Sequence, residues 1–151
     1  MIFADSSALA KKYLDEIGSD FIRSVSQLHV SSLAHVECTS ALWKRYREKT
    51  LSLEDVRELA ALLDADWLKA ENAFRVYAVT EEVVALACIF AGKYQLRAYD
   101  AVQLAQASII QKRESRSVWF LSFDKKLNKA AQREGFIVIG SVRSIHSQGM
   151  Y

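Results

Sequence analysis

Apolar residues follow two alternating rhythms along this chain. Short runs at Ile2-Phe3-Ala4, Leu28 to Val30, Arg75 to Val79, Ser117 to Leu121 and Phe136 to Ile139 are rich in β-branched and aromatic residues and predict strands. Between them, spacings of three and four predict helices from Ser6 through Tyr13, Asp20 to Gln27, about Ser32 to Lys49, Leu53 to Trp67, Glu81 to Lys93, Ala98 to Arg113 and Lys125 to Glu134. Leu53, Val56, Leu59, Ala60, Leu63 and Trp67 form the apolar stripe of an amphipathic helix, and Ser31 or Ser32 is placed to cap the long helix. Alternating strands and helices, with strands apolar on both faces, predict an α/β domain whose mostly parallel sheet carries helices on both sides. The crevice of such a sheet lies at the carboxyl ends of its strands.

Composition narrows this picture without redirecting it. A chain of 151 residues, 51% hydrophobic and 25% charged, with no proline and five glycines, predicts one helix-rich domain over 1–151. A net charge of +2 permits a nucleic-acid partner but does not argue for one. Cys38 and Cys88 sit in apolar stretches without a CxxC pair, and both are expected in the core of a reducing compartment. Met1 to Leu9 lacks the basic start of a signal peptide, and the longest uncharged apolar run, Val83 to Gly92, falls far short of the roughly 20 residues a membrane span needs. The expectation is a soluble, cytoplasmic protein with no membrane partner.

The acids carry the chemistry. Asp5 ends the first strand, Asp124 follows the strand ending at Leu121, and Asp100 opens a helix, so all three belong near one sheet edge. Glu37 stands in the long helix within Ser31 to Trp43, a segment with no other acid and no Lys or Arg. Each has a structural alternative: Asp124 as an N-cap, Asp100 with Gln103 as a capping-box pair, Glu37 as a partner for the helix dipole. Asp5 is the weaker cap, because Ser6 or Ser7 could do that work. Two carboxylates about 4 Å apart at an effective dielectric of about 20 repel by roughly 4 kcal/mol, so a cluster of four needs a cation or raised pKa values. Oxygen donors in that number select Mg²⁺ or Mn²⁺ over zinc. His29, His35 and His146 show no metal-ligand spacing, and His35 is read as structural or as a neighbour of a ligand.

In Phe3-Ala4-Asp5-Ser6-Ser7-Ala8-Leu9 with Lys12-Tyr13, Ser31-Ser32-Leu33 with Glu37, Arg97-Ala98-Tyr99-Asp100-Ala101 with Leu104-Ala105, and Leu121-Ser122-Phe123-Asp124 with Leu127 and Ala130-Ala131, the sequence resembles the PIN-domain family, specifically its VapC-type toxins. The blocks follow the family's order over nearly the whole chain. The resemblance implies a three-layer α/β/α fold in which Asp5, Glu37, Asp100 and Asp124 form an acidic pocket that holds one or two Mg²⁺ or Mn²⁺ ions. It also implies endonucleolytic cleavage of structured RNA, with Ser6 and Ser122 in supporting roles. A cognate antitoxin covering the pocket and a toxin homodimer complete what it implies. One departure is visible: Lys125-Lys126 stand where some PIN nucleases carry a further acid, which leaves the second metal in doubt.

For the RNA backbone the favoured cations are Lys11, Lys12 and Lys125, close in sequence to the acids, with Lys44, Arg45, Arg47 and Lys129 as other sources. The helix Leu53 to Trp67 is a candidate docking surface or, alternatively, ordinary core. Two other functions stay open. One is a PIN-domain RNA-binding or RNA-processing module outside any toxin system. The other is a phospho-receiver switch, disfavoured because Asp5-Ser6 and Gly140-Ser141 stand where a receiver has adjacent acids and a lysine.

Overall fold

The computed structural model describes residues 1–69, 73–115 and 117–140. Its strands are β1 (Ile2–Ala4), β2 (Leu28–Ser31), β3 (Phe74–Tyr77), β4 (Trp119–Leu121) and β5 (Ile137–Ile139). They form one sheet in the order β3-β2-β1-β4-β5, and every pairing is parallel. The helices are α1 (Ser6–Leu9, continued by a 3₁₀ turn at Ala10–Lys12), α2 (Ser19–Ser24), α3 (Leu33–Arg47), α4 (Leu53–Leu68), α5 (Glu81–Tyr94), α6 (Ala98–Glu114) and α7 (Lys125–Arg133).

Period-two alternation along the strands divides the core between the two sheet faces. Ala4 and Leu121 face one side, where Leu9, Ile22, Cys38, Leu42, Val56 and Leu63 from α1 to α4 pack. Phe3 and Phe120, stacked with ring centroids 5.8 Å apart, face the other, against Val83 and Phe90 of α5, Leu104 of α6 and Leu127 of α7. The result is the expected three-layer α/β/α architecture. Chain order runs from β1 outward to β2 and β3, then returns to the far side of β1 for β4 and β5. The order therefore reverses between β1 and β4, which places the crevice of this sheet at their carboxyl ends. There Asp5 N–H donates to Leu121 O (3.0 Å) and Ser122 N–H to Ile139 O (3.1 Å), carrying the ladder one residue past the strands.

Several local expectations are corrected. The helix expected to run to Gln27 stops at Ser24: Ser24 Oγ turns back onto Phe21 O (2.7 Å), and Val25 is extended. The segment through Tyr13 is a short α-helix followed by a 3₁₀ turn rather than one helix. At the start of α3, Ser32 makes no side-chain cap, and Ser31 Oγ accepts from Leu33 N–H (3.2 Å). Cys38 is buried as expected but Cys88 is exposed, since it lies off the Val83, Ala87 and Phe90 stripe that α5 buries. The α4 stripe packs into the core through Val56 and Leu63, with Leu59, Ala60 and Trp67 partly buried beside them. No helix among the described residues is long and apolar enough to cross a membrane.

Candidate active site

Asp5 takes the last position before the chain leaves β1 and turns into α1. Its extended backbone (φ −76°, ψ 175°) lets the side chain cap that helix by accepting from Ala8 N–H (2.9 Å), the role the sequence had suggested for Ser6 or Ser7. Ser7 Oγ (2.8 Å) and Ser122 Oγ (2.7 Å) also donate to the carboxylate. Asp5 is 3% exposed, and this burial, reinforced by the charge of Glu37, pushes its pKa up to about 7 even though all three donors favour the ionised form.

Two serines lock the β1–α1 and β4–α7 junctions together around this carboxylate. Ser122 Oγ donates to Asp5 and accepts from Asp124 N–H (3.0 Å), while Ser7 Oγ donates to Asp5 and accepts from Phe123 N–H (2.9 Å). Each hydroxyl has one proton, and both protons point at Asp5. Ser7 was missed in the sequence reading. Its position two residues after Asp5, where a hydroxyl can reach back across the turn, was the available signal.

Glu37 reaches the same edge from the second turn of α3. Its Oε1 accepts from Ser6 Oγ (3.1 Å) and its Oε2 from the amide of Gln103. Burial, with the charge of Asp100, raises its pKa despite these donors. Ser6 thus serves Glu37 rather than Asp5. Gln103, 1% exposed, does not form the capping box with Asp100 that its spacing predicts, because Arg97 is the N-cap of α6 and Gln103 turns inward. Its Oε1 is buried without a hydrogen-bond partner.

Asp100 is half-buried in the first turn of α6, and its pKa is raised by burial and by Asp124, against the lowering effect of Arg97 and Lys126. Asp124 caps α7 as expected, accepting from Leu127 N–H (2.7 Å). The four acids therefore form a chain of electrostatic neighbours, Asp5 to Glu37 to Asp100 to Asp124. Eight ion pairs occur among the described residues, and none involves any of the four. No three His, Cys, Asp or Glu side chains among the described residues are close enough to make a ready cage for a metal ion. The four acids are linked pair by pair, not closed into the compact pocket the resemblance implied.

A family model for the PIN domain matches residues 2–133. The chain belongs to the PIN-domain family. Among solved structures, the PAE2754 crystal structure from Pyrobaculum aerophilum superposes with a TM-score of 0.64 at 16% identity, over 97% of this chain and 87% of that one. A toxin-antitoxin complex from Klebsiella pneumoniae superposes at 0.54 and 13%, over 83% and 88%. At such identities the likeness is one of fold. No curated protein sequence matches. The PIN domain is a nuclease fold often found among toxin-antitoxin toxins.

Two of the three cations expected to meet RNA have acidic neighbours in this PIN domain. Lys11 pairs with Glu16 (2.7 Å) over the ring of Phe123, and Lys12 lies 3.7 Å from Asp66, a looser contact. Both sit on the 3₁₀ turn, whose partners Glu16 and Asp66 are not apparent from proximity in sequence to Asp5. Lys125 is exposed and makes no ion pair among the described residues. His35 bonds Asp64 (2.7 Å) and stacks on Trp67 (centroids 4.5 Å apart), tying α3 to α4 as a structural residue. His29 pairs with the Tyr77 hydroxyl (2.8 Å). His146, Ser141 and the rest of the carboxyl tail lie outside the described residues.

Proposed function

We propose that this PIN domain is a Mg²⁺- or Mn²⁺-dependent endoribonuclease, cleaving structured RNA in the cytoplasm as the VapC-type toxin of a toxin-antitoxin pair. The observation that carries the reading is the run of four acids, Asp5, Glu37, Asp100 and Asp124, none in an ion pair among the described residues, at the reversal point of a parallel sheet, with three of them held above their usual pKa. Carboxylates in this state fit a divalent cation: all the donors are hard oxygens, and among the described residues no basic side chain forms an ion pair with them.

In this reading the four acids hold the ion, which when bound would activate water and stabilise charge on the phosphate. The chain's own residues supply orientation. Ser7 and Ser122 fix the Asp5 oxygens from two sides, and Ser6 and Gln103 fix those of Glu37. Asp5, with a pKa near neutrality, sheds its proton readily at physiological pH. The toxin reading, with a cognate antitoxin as partner, is supported by the family and by the structural likeness to a toxin-antitoxin complex, and a homodimer as the working state is part of the same proposal.

The test is cleavage of total cellular RNA by the purified protein with Mg²⁺ or Mn²⁺, with EDTA, and with Asp5→Asn. Discrete products that disappear with EDTA and in the variant are expected. Full cleavage by Asp5→Asn would overturn the site; RNA binding without cleavage under any condition would turn the reading to a PIN-domain binding module.

A further inference from the structure

A second feature adjoins the acids. Ser6, Glu37, Ser40, Lys44, Arg47 and Tyr99 line a cleft of about 370 Å³, within the roughly 300–1,000 Å³ typical of ligand sites. It runs from Glu37 along one face of α3, where positions 37, 40, 44 and 47 recur at three- and four-residue steps. At 1.5 Å per residue, Lys44 and Arg47 stand about 10 and 15 Å along the helix from Glu37. The first turn of α6 forms the opposite wall with Tyr99, the residue before Asp100.

Tyr99 is unlike the other described tyrosines. The hydroxyls of Tyr13, Tyr77 and Tyr94 bond Asp66, His29 and Glu134, and Tyr46 packs edge-on to Trp43. Tyr99 makes no hydrogen bond or ring contact among the described residues and is 58% exposed. Arg47 likewise has no partner there, and Lys44 has only an exposed i,i+4 contact with Glu48 (3.6 Å), which a ligand phosphate displaces at little cost. The cleft thus passes from a proposed reaction centre, past hydroxyls and a bare aromatic face, to two available cations.

We propose that this cleft binds an unpaired stretch of RNA, with one base stacked on Tyr99 and backbone phosphates held by Lys44 and Arg47, so that the strand is led to the acids at Glu37. The assignment rests on the nuclease reading for its substrate. An aromatic face beside a basic track is how single strands are held without base pairing, because every base offers a π-face and every linkage a charge. The lining is more apolar than polar, from Val36, Ala41, the Tyr99 ring and the aliphatic stems of Lys44 and Arg47, but the two charges at its far end are both positive and suit a phosphate backbone rather than an uncharged protein segment. A fully paired stem keeps its bases stacked on one another and cannot use Tyr99.

Anisotropy of a fluorescein-labelled, non-self-complementary RNA dodecamer, measured with the full chain in EDTA, separates binding from metal-dependent cleavage. Tyr99→Ala is expected to weaken binding by about 5- to 100-fold while Tyr99→Phe binds like the parent. Lys44→Ala with Arg47→Ala is expected to weaken it and to flatten the slope of log affinity against log salt by about 1.4. A fully paired RNA should compete at least tenfold less well. These residues are exposed, and thermal melts establish that the variants stay folded. Absence of binding by the parent, or unchanged affinity in both Tyr99→Ala and the double variant, overturns the proposal even if Asp5→Asn abolishes cleavage. Loss of groove-dependent binding in a protein that never cleaves supports the cleft and refutes the nuclease. Variants that keep RNA affinity but lose a protein encoded beside this chain assign the cleft to that protein and overturn the RNA proposal.

Discussion

Asp5→Asn is expected to make the metal-free protein more stable above neutral pH, although it removes a residue proposed as essential to activity. The folded-state pKa of Asp5, about 7, stands well above its ordinary value of 3.8, chiefly because burial disfavours the charge. The native state therefore holds this proton more tightly than the unfolded chain does. The associated stability is complete below about pH 4 and is lost as the pH rises to about 7. A rise from 3.8 to about 7 corresponds to roughly 4 kcal/mol. An Asn amide keeps the shape, can still accept from Ala8 N–H and can donate to Ser122 Oγ, so it stands in for the neutral carboxyl; the rise to about 7 already includes the hydrogen bonds that favour the carboxylate. A net gain of about 4 kcal/mol at pH 8 is therefore expected, present only in part at pH 5–6. Urea unfolding of both proteins in EDTA between pH 4 and 8 measures it: the curves should converge near pH 4 and separate as the pH rises, with the variant above. Parallel curves, or a less stable variant at pH 8, would refute the argument. Adding Mg²⁺ or Mn²⁺ should close the gap by stabilising the parent alone.

Three further outcomes follow from the same contacts. Ser122→Ala removes a donor from Asp5 and the acceptor of Asp124 N–H; it should cost about 1–3 kcal/mol in urea unfolding, and the onset of cleavage should move to higher pH, because the Ser122 bond lowers the Asp5 pKa. Gln103→Leu should reduce cleavage about 10- to 100-fold through a misoriented Glu37, with a similar fold by circular dichroism; retained activity would show that Glu37 needs no such support. Gly18→Ala should destabilise by about 1–3 kcal/mol in thermal melts, since Gly18 has φ +97° and an added Cβ would lie 2.8 Å from the Phe123 ring, which backs onto the Ser7–Ser122 junction.

The site depends on topology as much as on residue type. Because β1 and β4 are neighbours with parallel register, Ala4 opposite Leu121, the residues that follow each strand come side by side although 117 positions separate Asp5 from Ser122. Two short strands thereby bring one carboxylate and two hydroxyls into a network whose two hydroxyl protons both serve that carboxylate. The network determines the orientation of Asp5, and burial determines its acid strength.

The strands, the helices other than the ends of α1 and α2, and the α/β class were legible in the sequence because they follow from local periodicity: strands apolar on both faces demand cover on both sides, and the cover was visible as amphipathic helices. The places of Asp5, Asp100 and Asp124 in the fold were legible too, since Asp5 and Asp124 follow strands and Asp100 opens a helix. What only the tertiary structure decided is which side chains meet. Ser7 rather than Ser6 holds Asp5, Gln103 leaves Asp100 for Glu37, Lys11 and Lys12 turn to Glu16 and Asp66, and Cys88 faces solvent. These are partnerships between elements, set by the rotation of each helix on the sheet. Local propensity constrains that rotation only to within a face, while a hydrogen bond depends on ångströms.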